Sequence, residues 1–355
     1  MIQSIMHYII LFIISFIFIK LLIKFSQKLG LVDIPNERSS HTNITPRGAG
    51  ISFGLAFFIS IILFKFSLFI ENYLLFLAIF IVFFTGVLDD YKDVSPKIKF
   101  YAMFIASILL YFNNIYIHNL GIYFGYIIPL GFLALPFSMF FIAGVTNGAN
   151  LLDGLDGLAS GVSIVILSTF LYVGYINQNN LMCVISLFTI ISLLPFLFFN
   201  WFPAKIFMGD SGSLFLGFII ATLSVMALEY IHPMAVVYII ALPIFDTLIV
   251  MIRRIKNNKS PFSPDKTHMH HILLKFFKKK VKKTVLFIIL MQSLFSLVGL
   301  MLALSHKQLG EGIASSLALL SYLGILALFY MIFTGMKDRQ KLITRLIKRK
   351  KKNIR

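Results

Sequence analysis

The sequence predicts an all-α polytopic membrane protein, and three observations carry that prediction. Of the 355 residues, 59% are apolar and only 13% are charged, about half the roughly 25% charge usual in a soluble domain. The apolar residues fall in long runs separated by short polar stretches. The charges are lopsided, with 32 Lys and Arg against 14 Asp and Glu for a net +18, and the cations collect in alternate connections. A soluble chain of this size could not cover so much apolar surface, and a disordered chain would not carry it. The single cysteine, Cys183, excludes a disulfide framework and a thiolate metal site.

A hydrocarbon core about 30 Å thick needs about 20 apolar residues of helix to cross it. By that measure the chain holds about eleven transmembrane helices, near 4–25, 50–70, 73–90, 98–113, 121–143, 158–177, 181–199, 212–229, 233–252, 284–304 and 313–335. The first ends in lysines and has no small-residue cleavage site, so it reads as a retained span and not a signal peptide. The fourth is short, and Pro129 and Pro136 in the fifth predict a kink or break.

Orientation follows from the cations. With the first linker in the cytoplasm, only Lys65 and Lys307 of the 32 Lys and Arg fall on the outer side, the asymmetry that marks cytoplasmic loops. An odd count puts the N-terminus outside, in the periplasm, and the C-terminus in the cytoplasm. The cytoplasmic connections are then about 26–49, 89–99, 144–157, 200–213 and 253–283, within a single transmembrane domain 1–335 that is followed by a basic cytoplasmic tail, 336–355. The outer turns are short and hold Glu71, Glu229 and Glu311, while the other acids lie on or near the cytoplasmic side. The active-site cleft is expected at that cytoplasmic face. The basic excess reads as attraction to anionic lipid and not to nucleic acid.

Five motifs concentrate the polar chemistry. Asp89-Asp90-Tyr91-Lys92-Asp93 closes the third span, where two adjacent ionised carboxylates repel each other and need a metal ion, a phosphate-bound metal or a proton. A solvated helix end is the plainer reading, although acids at a helix C-terminus oppose the macrodipole. In Asn147-Gly148-Ala149-Asn150-Leu151-Leu152-Asp153-Gly154-Leu155-Asp156, the residues Asn147, Asn150, Asp153 and Asp156 recur every three positions and share one face if helical. Such a face is too polar for lipid and must line an enclosed cleft; a polar turn is the weaker alternative. Asp210 in Phe207-Met208-Gly209-Asp210-Ser211-Gly212-Ser213 opens an apolar span, where free helix amides favour phosphate. Read alone it is also a capped helix start. Oxygen ligands from Asp210 and the Asn150 region suit Mg²⁺, which takes one or two carboxylates plus substrate phosphate oxygens.

The segment after Arg253 and Arg254 contains Ser260-Pro261-Phe262-Ser263-Pro264-Asp265 and then His268, His270 and His271. The histidine spacing is poor for one zinc ion and no cysteine is near, so the cluster suits a phosphate or nucleotide diphosphate better. A solvated basic loop accounts for the nearby lysines but not for the histidines. The first linker, with Arg38, His41 and Arg47, is a turn-rich loop that is either a plain connection or a contact for an anionic substrate. Asp246, inside a span, is either functional or a buried partner for Arg253 or Arg254.

These five motifs, in this order over roughly 30–275, resemble those of the polyprenyl-phosphate N-acetylhexosamine-1-phosphate transferases, in the glycosyltransferase 4 and MraY-like superfamily. The H-x-H-H loop, His268-Met269-His270-His271, resembles the bacterial WecA/TagO/WbpL-type branch, whose eleven spans match the count above. One departure is Arg38-Ser39-Ser40-His41, where many members carry a lysine after the arginine. The resemblance implies a phosphotransferase of the bacterial cytoplasmic (inner) membrane. An N-acetylhexosamine-1-phosphate passes from a UDP-sugar to undecaprenyl phosphate, UMP leaves, and a lipid-linked cell-surface glycan such as O-antigen is begun. It further implies Mg²⁺, with Mn²⁺ as the substitute, held by Asn150 and Asp210. Asp89 and Asp90 match the position that deprotonates the lipid phosphate, and Asp153 and Asp156 match positions holding the nucleotide or supporting the metal. Arg38, His41, Arg47, Asn147, Arg253, Arg254, His268, His270 and His271 would bind substrate. Direct attack and a covalent aspartyl route both stay open, as do the sugar and a homodimer.

Two rivals differ in class. Intramembrane acids and asparagines also suit a cation- or proton-coupled transporter, but the acids cluster at one face and no inverted repeat is visible. A CDP-alcohol phosphotransferase is excluded by its own signature, D-G-x2-A-R, since Asp153-Gly154 is followed here by Leu155-Asp156-Gly157.

Overall fold

A computed structural model describes residues 2–34, 44–256, 258, 268–309 and 311–353. Arg38, His41 and the stretch 259–267 lie outside the described residues. In chain order the elements are α1 (Ile2–Phe25), β1 (Val32–Asp33), β2 (Thr45–Pro46), α2 (Ala49–Phe64), α3 (Phe66–Glu71), α4 (Tyr73–Lys92) and α5 (Pro96–Phe112). There follow β3 (Asn119–Tyr123), β4 (Tyr126–Pro129), α6 (Ala134–Leu151), α7 (Leu158–Ile176), α8 (Asn180–Asn200) and α9 (Asp210–Ala227). The last are α10 (Pro233–Ile239), α11 (Ala241–Lys256), α12 (Met269–Phe276), α13 (Val281–Leu309) and α14 (Glu311–Asn353).

The chain is a mostly helical, multi-pass membrane protein. Among the described residues eight helices are long and apolar enough to cross a bilayer, and α10 with α11, bent by 84° at their junction, makes a ninth if the pair counts as one span. The apolar helix α2 falls short on length. Every expected apolar run is represented by helix, but the fifth is displaced. Residues 119–129 form an antiparallel hairpin, β3 with β4, and α6 starts only at Ala134 and runs on through Leu151. Hydropathy alone does not separate Ile- and Tyr-rich strands from helix. The turn chemistry does: Gly121 and Gly125 both take positive φ, +98° and +84°. The all-α expectation therefore holds for the bundle, with two small two-stranded pieces added.

The bundle is organised around α9. Every residue from Ser211 to Ala227 is buried, whereas only 17% of the best apolar window of α14 and 22% of that of α1 is covered by protein. A helix apolar on all sides belongs at the centre of a bundle, and helices with exposed apolar faces belong against lipid. The helices α2, α4, α6, α7 and α8 pack against α9. Close approach is set by glycine: a Cβ on Gly217 would lie 2.6 Å from the Thr146 carbonyl of α6. Small residues at crossings let helix backbones meet where lipid supplies no hydrophobic drive between them.

Candidate active site

The site grows from the crossing of α2, α4 and α9. A Cβ on Gly50 would fall 1.9 Å from the Gly212 amide nitrogen, and one on Gly86 would fall 2.5 Å from the Asp210 carbonyl oxygen. Only glycine lets these three backbones touch. The loop before α2 is stitched to the loop before α9: the Ala49 and Gly50 amides donate to the Phe207 and Met208 carbonyls at 3.1 and 2.9 Å, and the Phe207 amide donates to the Pro46 carbonyl at 2.8 Å. Arg47 Nη2 donates to the Asp90 backbone oxygen at 2.8 Å. Arg47 thus joins the acidic end of α4.

Asp90 is 4% exposed. Its two oxygens accept the amide hydrogens of Asp210, at 2.9 Å, and Ser211, at 3.1 Å. A buried carboxylate is tolerated because the first turn of α9 supplies amides that have no partner within the helix. Gly209 makes room, since a Cβ there would meet the Asp90 carboxylate oxygens at 2.5 and 2.7 Å. Its backbone, φ 75° and ψ 170°, is also one that only glycine adopts readily.

Asp89 turns the other way. Its Oδ1 accepts the Val94 amide at 2.6 Å, and its Oδ2 meets Lys99 Nζ at 2.7 Å. Lys99 also pairs with Asp210. The three side chains are 12%, 19% and 29% exposed for Asp89, Lys99 and Asp210, so this acid–lysine–acid array is largely enclosed yet in part open to solvent. Lys99 was not among the sequence candidates. The signal for it is a lysine in the first turn of an apolar helix that starts directly after the acidic end of α4.

Asn147 and Asn150 lie on α6, and the helix ends at Leu151. The expected four-residue face therefore divides: two amides sit on the helix, while Asp153 and Asp156 sit in the turn that follows. Asp156 Oδ2 accepts the Ala204 amide at 2.9 Å. Asn200 ties the same loops together, accepting the Gly157 amide at 2.8 Å and donating to the Ile206 carbonyl at 2.9 Å. Asp153 feels the charges of Asp210, Asp90 and Asp156, and burial together with those charges pushes its pKa up to about 7.

The histidines come to the same turn. A Cβ on Gly154 would lie 2.2 Å from His270 Nε2, so the ring rests on the backbone beside Asp153. His270 is 2% exposed, and neither ring nitrogen has a hydrogen-bond partner among the described residues. Burial and the neighbouring His271 push its pKa down to about 3, which leaves it neutral at pH 7. The His270 and His271 ring centroids are 4.2 Å apart. Asp246 is not left to the arginines of its own helix, the partners the sequence suggested. Its oxygens meet His268 Nδ1 at 2.8 Å and accept the Met269 amide at 2.6 Å. Arg253 is buried and donates Nε to the Ile249 carbonyl within its helix at 3.3 Å; Arg254 lies beside it near the end of α11.

Among the described residues no three His, Cys, Asp or Glu side chains converge on one metal position. The two carboxylates that do meet, Asp89 and Asp210 on either side of Lys99, are hard oxygen donors of the kind Mg²⁺ takes one or two of, beside water and phosphate oxygens. Asp153, raised toward neutrality by burial first and by the charges of Asp210, Asp90 and Asp156 second, stands next to this acidic cluster.

Known proteins with similar sequences fit this arrangement. Residues 72–228 match glycosyl transferase family 4. A Bacillus subtilis protein named a probable undecaprenyl-phosphate N-acetylglucosaminyl 1-phosphate transferase is 35% identical over 311 residues, covering 85% of this chain and 86% of its own length. Proteins named undecaprenyl-phosphate alpha-N-acetylglucosaminyl 1-phosphate transferase are 29% identical in Escherichia coli K12, with 83% of each chain covered, and 31% identical in Yersinia pestis, with 76% and 75% covered.

Proposed function

This chain belongs to the undecaprenyl-phosphate N-acetylhexosamine-1-phosphate transferases of glycosyl transferase family 4, and from that premise we propose how its cleft works. The protein is a phosphotransferase that moves a hexosamine-1-phosphate onto undecaprenyl phosphate. The donor in this reading is a UDP-N-acetylhexosamine, the by-product is UMP, and the product begins a lipid-linked cell-surface glycan, O-antigen or related. The observation that carries the reading is the Asp89–Lys99–Asp210 array, fixed by Asp90 on the first turn of α9 and adjoined by the turn that bears Asp153.

Asp210 and Asn150 would hold Mg²⁺ in this proposal. When bound, that ion neutralises the donor diphosphate and the departing UMP. Asp90 does not touch substrate; with both oxygens on α9 amides it sets where Asp210 stands. Asp89 Oδ2 faces the Lys99 ammonium and takes the proton from the lipid phosphate, whose oxygen then attacks the sugar-linked phosphorus. Lys99 offers its positive charge to a phosphate entering between the two acids. Asp153 and Asp156 border the nucleotide, and His268, His270 and His271 close over the diphosphate from α12. Phosphoryl transfer asks mainly for position and charge compensation, and a largely enclosed cluster of fixed charges gives both.

The fold completes the proposal. Counting α2 with α3 and α5 as crossings beside the nine gives eleven, with the N-terminus in the periplasm, the cleft at the cytoplasmic face and the protein in the bacterial cytoplasmic membrane. The test uses detergent-solubilised protein, undecaprenyl phosphate, Mg²⁺ and a panel of UDP-sugars, scored by UMP release. Turnover with at least one UDP-N-acetylhexosamine is expected, and it separates this reading from a transporter, which needs a closed membrane. Asp210→Ala and Asn150→Ala should each abolish the Mg²⁺-dependent signal, and normal turnover by either would sink the metal assignment.

A further inference from the structure

One buried carboxylate remains outside that scheme. Asp246 lies on α11, 2% exposed, one turn and a half after the 84° bend that separates α11 from α10. Helix α11 packs on α6, the helix that carries Asn147 and Asn150: a Cβ on Gly148 would lie 2.9 Å from Thr247 Oγ1 and 3.0 Å from the Pro243 carbonyl. Asp246 is therefore anchored to the same wall of the cleft as the two asparagines.

From there it reaches α12 with both oxygens. Oδ1 accepts the Met269 amide at 2.6 Å, at the first position of α12, and Oδ2 meets His268 Nδ1 at 2.8 Å. An ionised carboxylate accepts hydrogen bonds only, so this contact places the His268 proton on Nδ1 and leaves Nε2 as the ring nitrogen open to a ligand. The same contacts fix the start of α12, and with it His270 against Gly154. The His268 ring is nearly parallel to that of His270, at a centroid distance of 6.0 Å and an interplanar angle of 9°. The result is a connected path from Asp246 through His268 and His270 to the backbone beside Asp153.

We propose that Asp246 is a positioning residue for donor binding: it selects the tautomer of His268 and clamps α12 so that the histidines meet the nucleotide diphosphate over the Asp153 turn. The proposal rests on the phosphotransferase reading above. A carboxylate that orients an imidazole through Nδ1 and leaves Nε2 to work is a recurrent arrangement in catalytic and metal sites. Simple helix capping would need only Oδ1. The use of the second oxygen on a 6% exposed histidine is the feature that capping does not explain.

The test is Asp246→Asn. The variant keeps an oxygen for the Met269 amide, so α12 stays capped. It presents an N–H to His268 Nδ1, which drives the imidazole proton to Nε2. The expected result in detergent is a tenfold or greater rise in the KM for the UDP-sugar. The kcat should stay within about threefold and the melting temperature close to wild type, the signature of lost ground-state and transition-state binding together. His268→Gln should raise KM by a similar factor, and combining it with Asp246→Asn should add little, because both act through one contact. If Asp246→Asn does not fold, His268→Gln alone decides: an unchanged KM with Asp246 intact overturns the proposal. An Asp246→Asn protein with lowered melting temperature and wild-type KM also overturns it, leaving Asp246 a cap. Wild-type protein that releases no UMP from any UDP-sugar would instead overturn the functional reading itself.

Discussion

Replacing Lys99 by Met isolates the charge balance of the acidic cluster. Lys99 Nζ stands 2.7 Å from Asp89 Oδ2 and pairs with Asp210 as well. At that distance, and at the effective dielectric of about 20 that suits partly enclosed pairs, one such contact is worth on the order of 6 kcal/mol of Coulomb attraction before desolvation. Desolvation of the lysine offsets much of it, and breaking a buried pair by removing one partner costs about 3–5 kcal/mol. The three side chains are 12–29% exposed, so solvent screening brings the expected loss down to about 2–3 kcal/mol. Methionine keeps the length and apolar stem of lysine, so packing changes little. In Mg²⁺-free detergent the variant should melt several degrees below wild type. Millimolar Mg²⁺ should stabilise it more than it stabilises wild type, because the cation then replaces the lost ammonium between the two acids. Adding Asp89→Asn should recover most of the loss, since the repulsion is removed with it. Thermal unfolding followed by intrinsic fluorescence, with and without Mg²⁺, gives all of these values. Equal melting of wild type and Lys99→Met without Mg²⁺, or a Mg²⁺ response no larger in the variant, would refute the reasoning.

Other consequences follow from single contacts. Gly209→Ala should cost about 1–3 kcal/mol from backbone conformation alone, and it should abolish UMP release by pushing Asp90 away from the α9 amides it holds; melting and activity report the two effects separately. Asp153 has a folded pKa near 7, above the ordinary Asp value of about 3.9. Its favourable contribution is thus full below about pH 4 and is lost as pH rises to about 7. Without Mg²⁺, Asp153→Asn should therefore flatten the decline of melting temperature across that window and be the more stable protein at pH 8. His270, with a folded pKa near 3 against an ordinary value of about 6.5, acts in the opposite direction, and stability should fall as pH drops below about 6.5. His270→Gln should remove that acid sensitivity while leaving the Asp153 effect in place.

The sequence carried much of this site, and the exceptions have physical causes. Asp89, Asp90, Arg47 and Asp210 were visible as charged groups at the ends of apolar runs, and the structure joins them at one crossing. What separates Asp90 from Asp89 was not visible: adjacent residues on a helix point about 100° apart, and only the position of α9 decides which one meets backbone amides. The histidine loop suggested phosphate binding, but its seat on Gly154 depends on long-range packing that no local pattern encodes. For Asp246 the sequence leaves a functional role and a partner on its own helix both open, because nothing local places α12 beside it. The hairpin at 119–129 is indistinguishable from helix by hydropathy, because Ile, Tyr and Phe raise it alike in both structures. Lys99 does not stand out in the sequence, since a cation at the end of an apolar run has an ordinary explanation until its partners are seen.

The division of the cleft between early and late parts of the chain bears on how the protein is made. Synthesis proceeds from the N-terminus, and units fold as they emerge. The crossing of α2, α4 and α9, with Asp89, Asp90, Lys99 and Asp210, is complete once α9 has left the ribosome. At that moment the helices that pack on α9 are all made, whereas Asp246, α12 and the histidines do not yet exist. A nascent chain stalled there holds its acidic cluster ready but has nothing to close over a nucleotide. The acidic cluster is thus built from the first two thirds of the chain, and α11 and α12 bring the histidines to it afterwards.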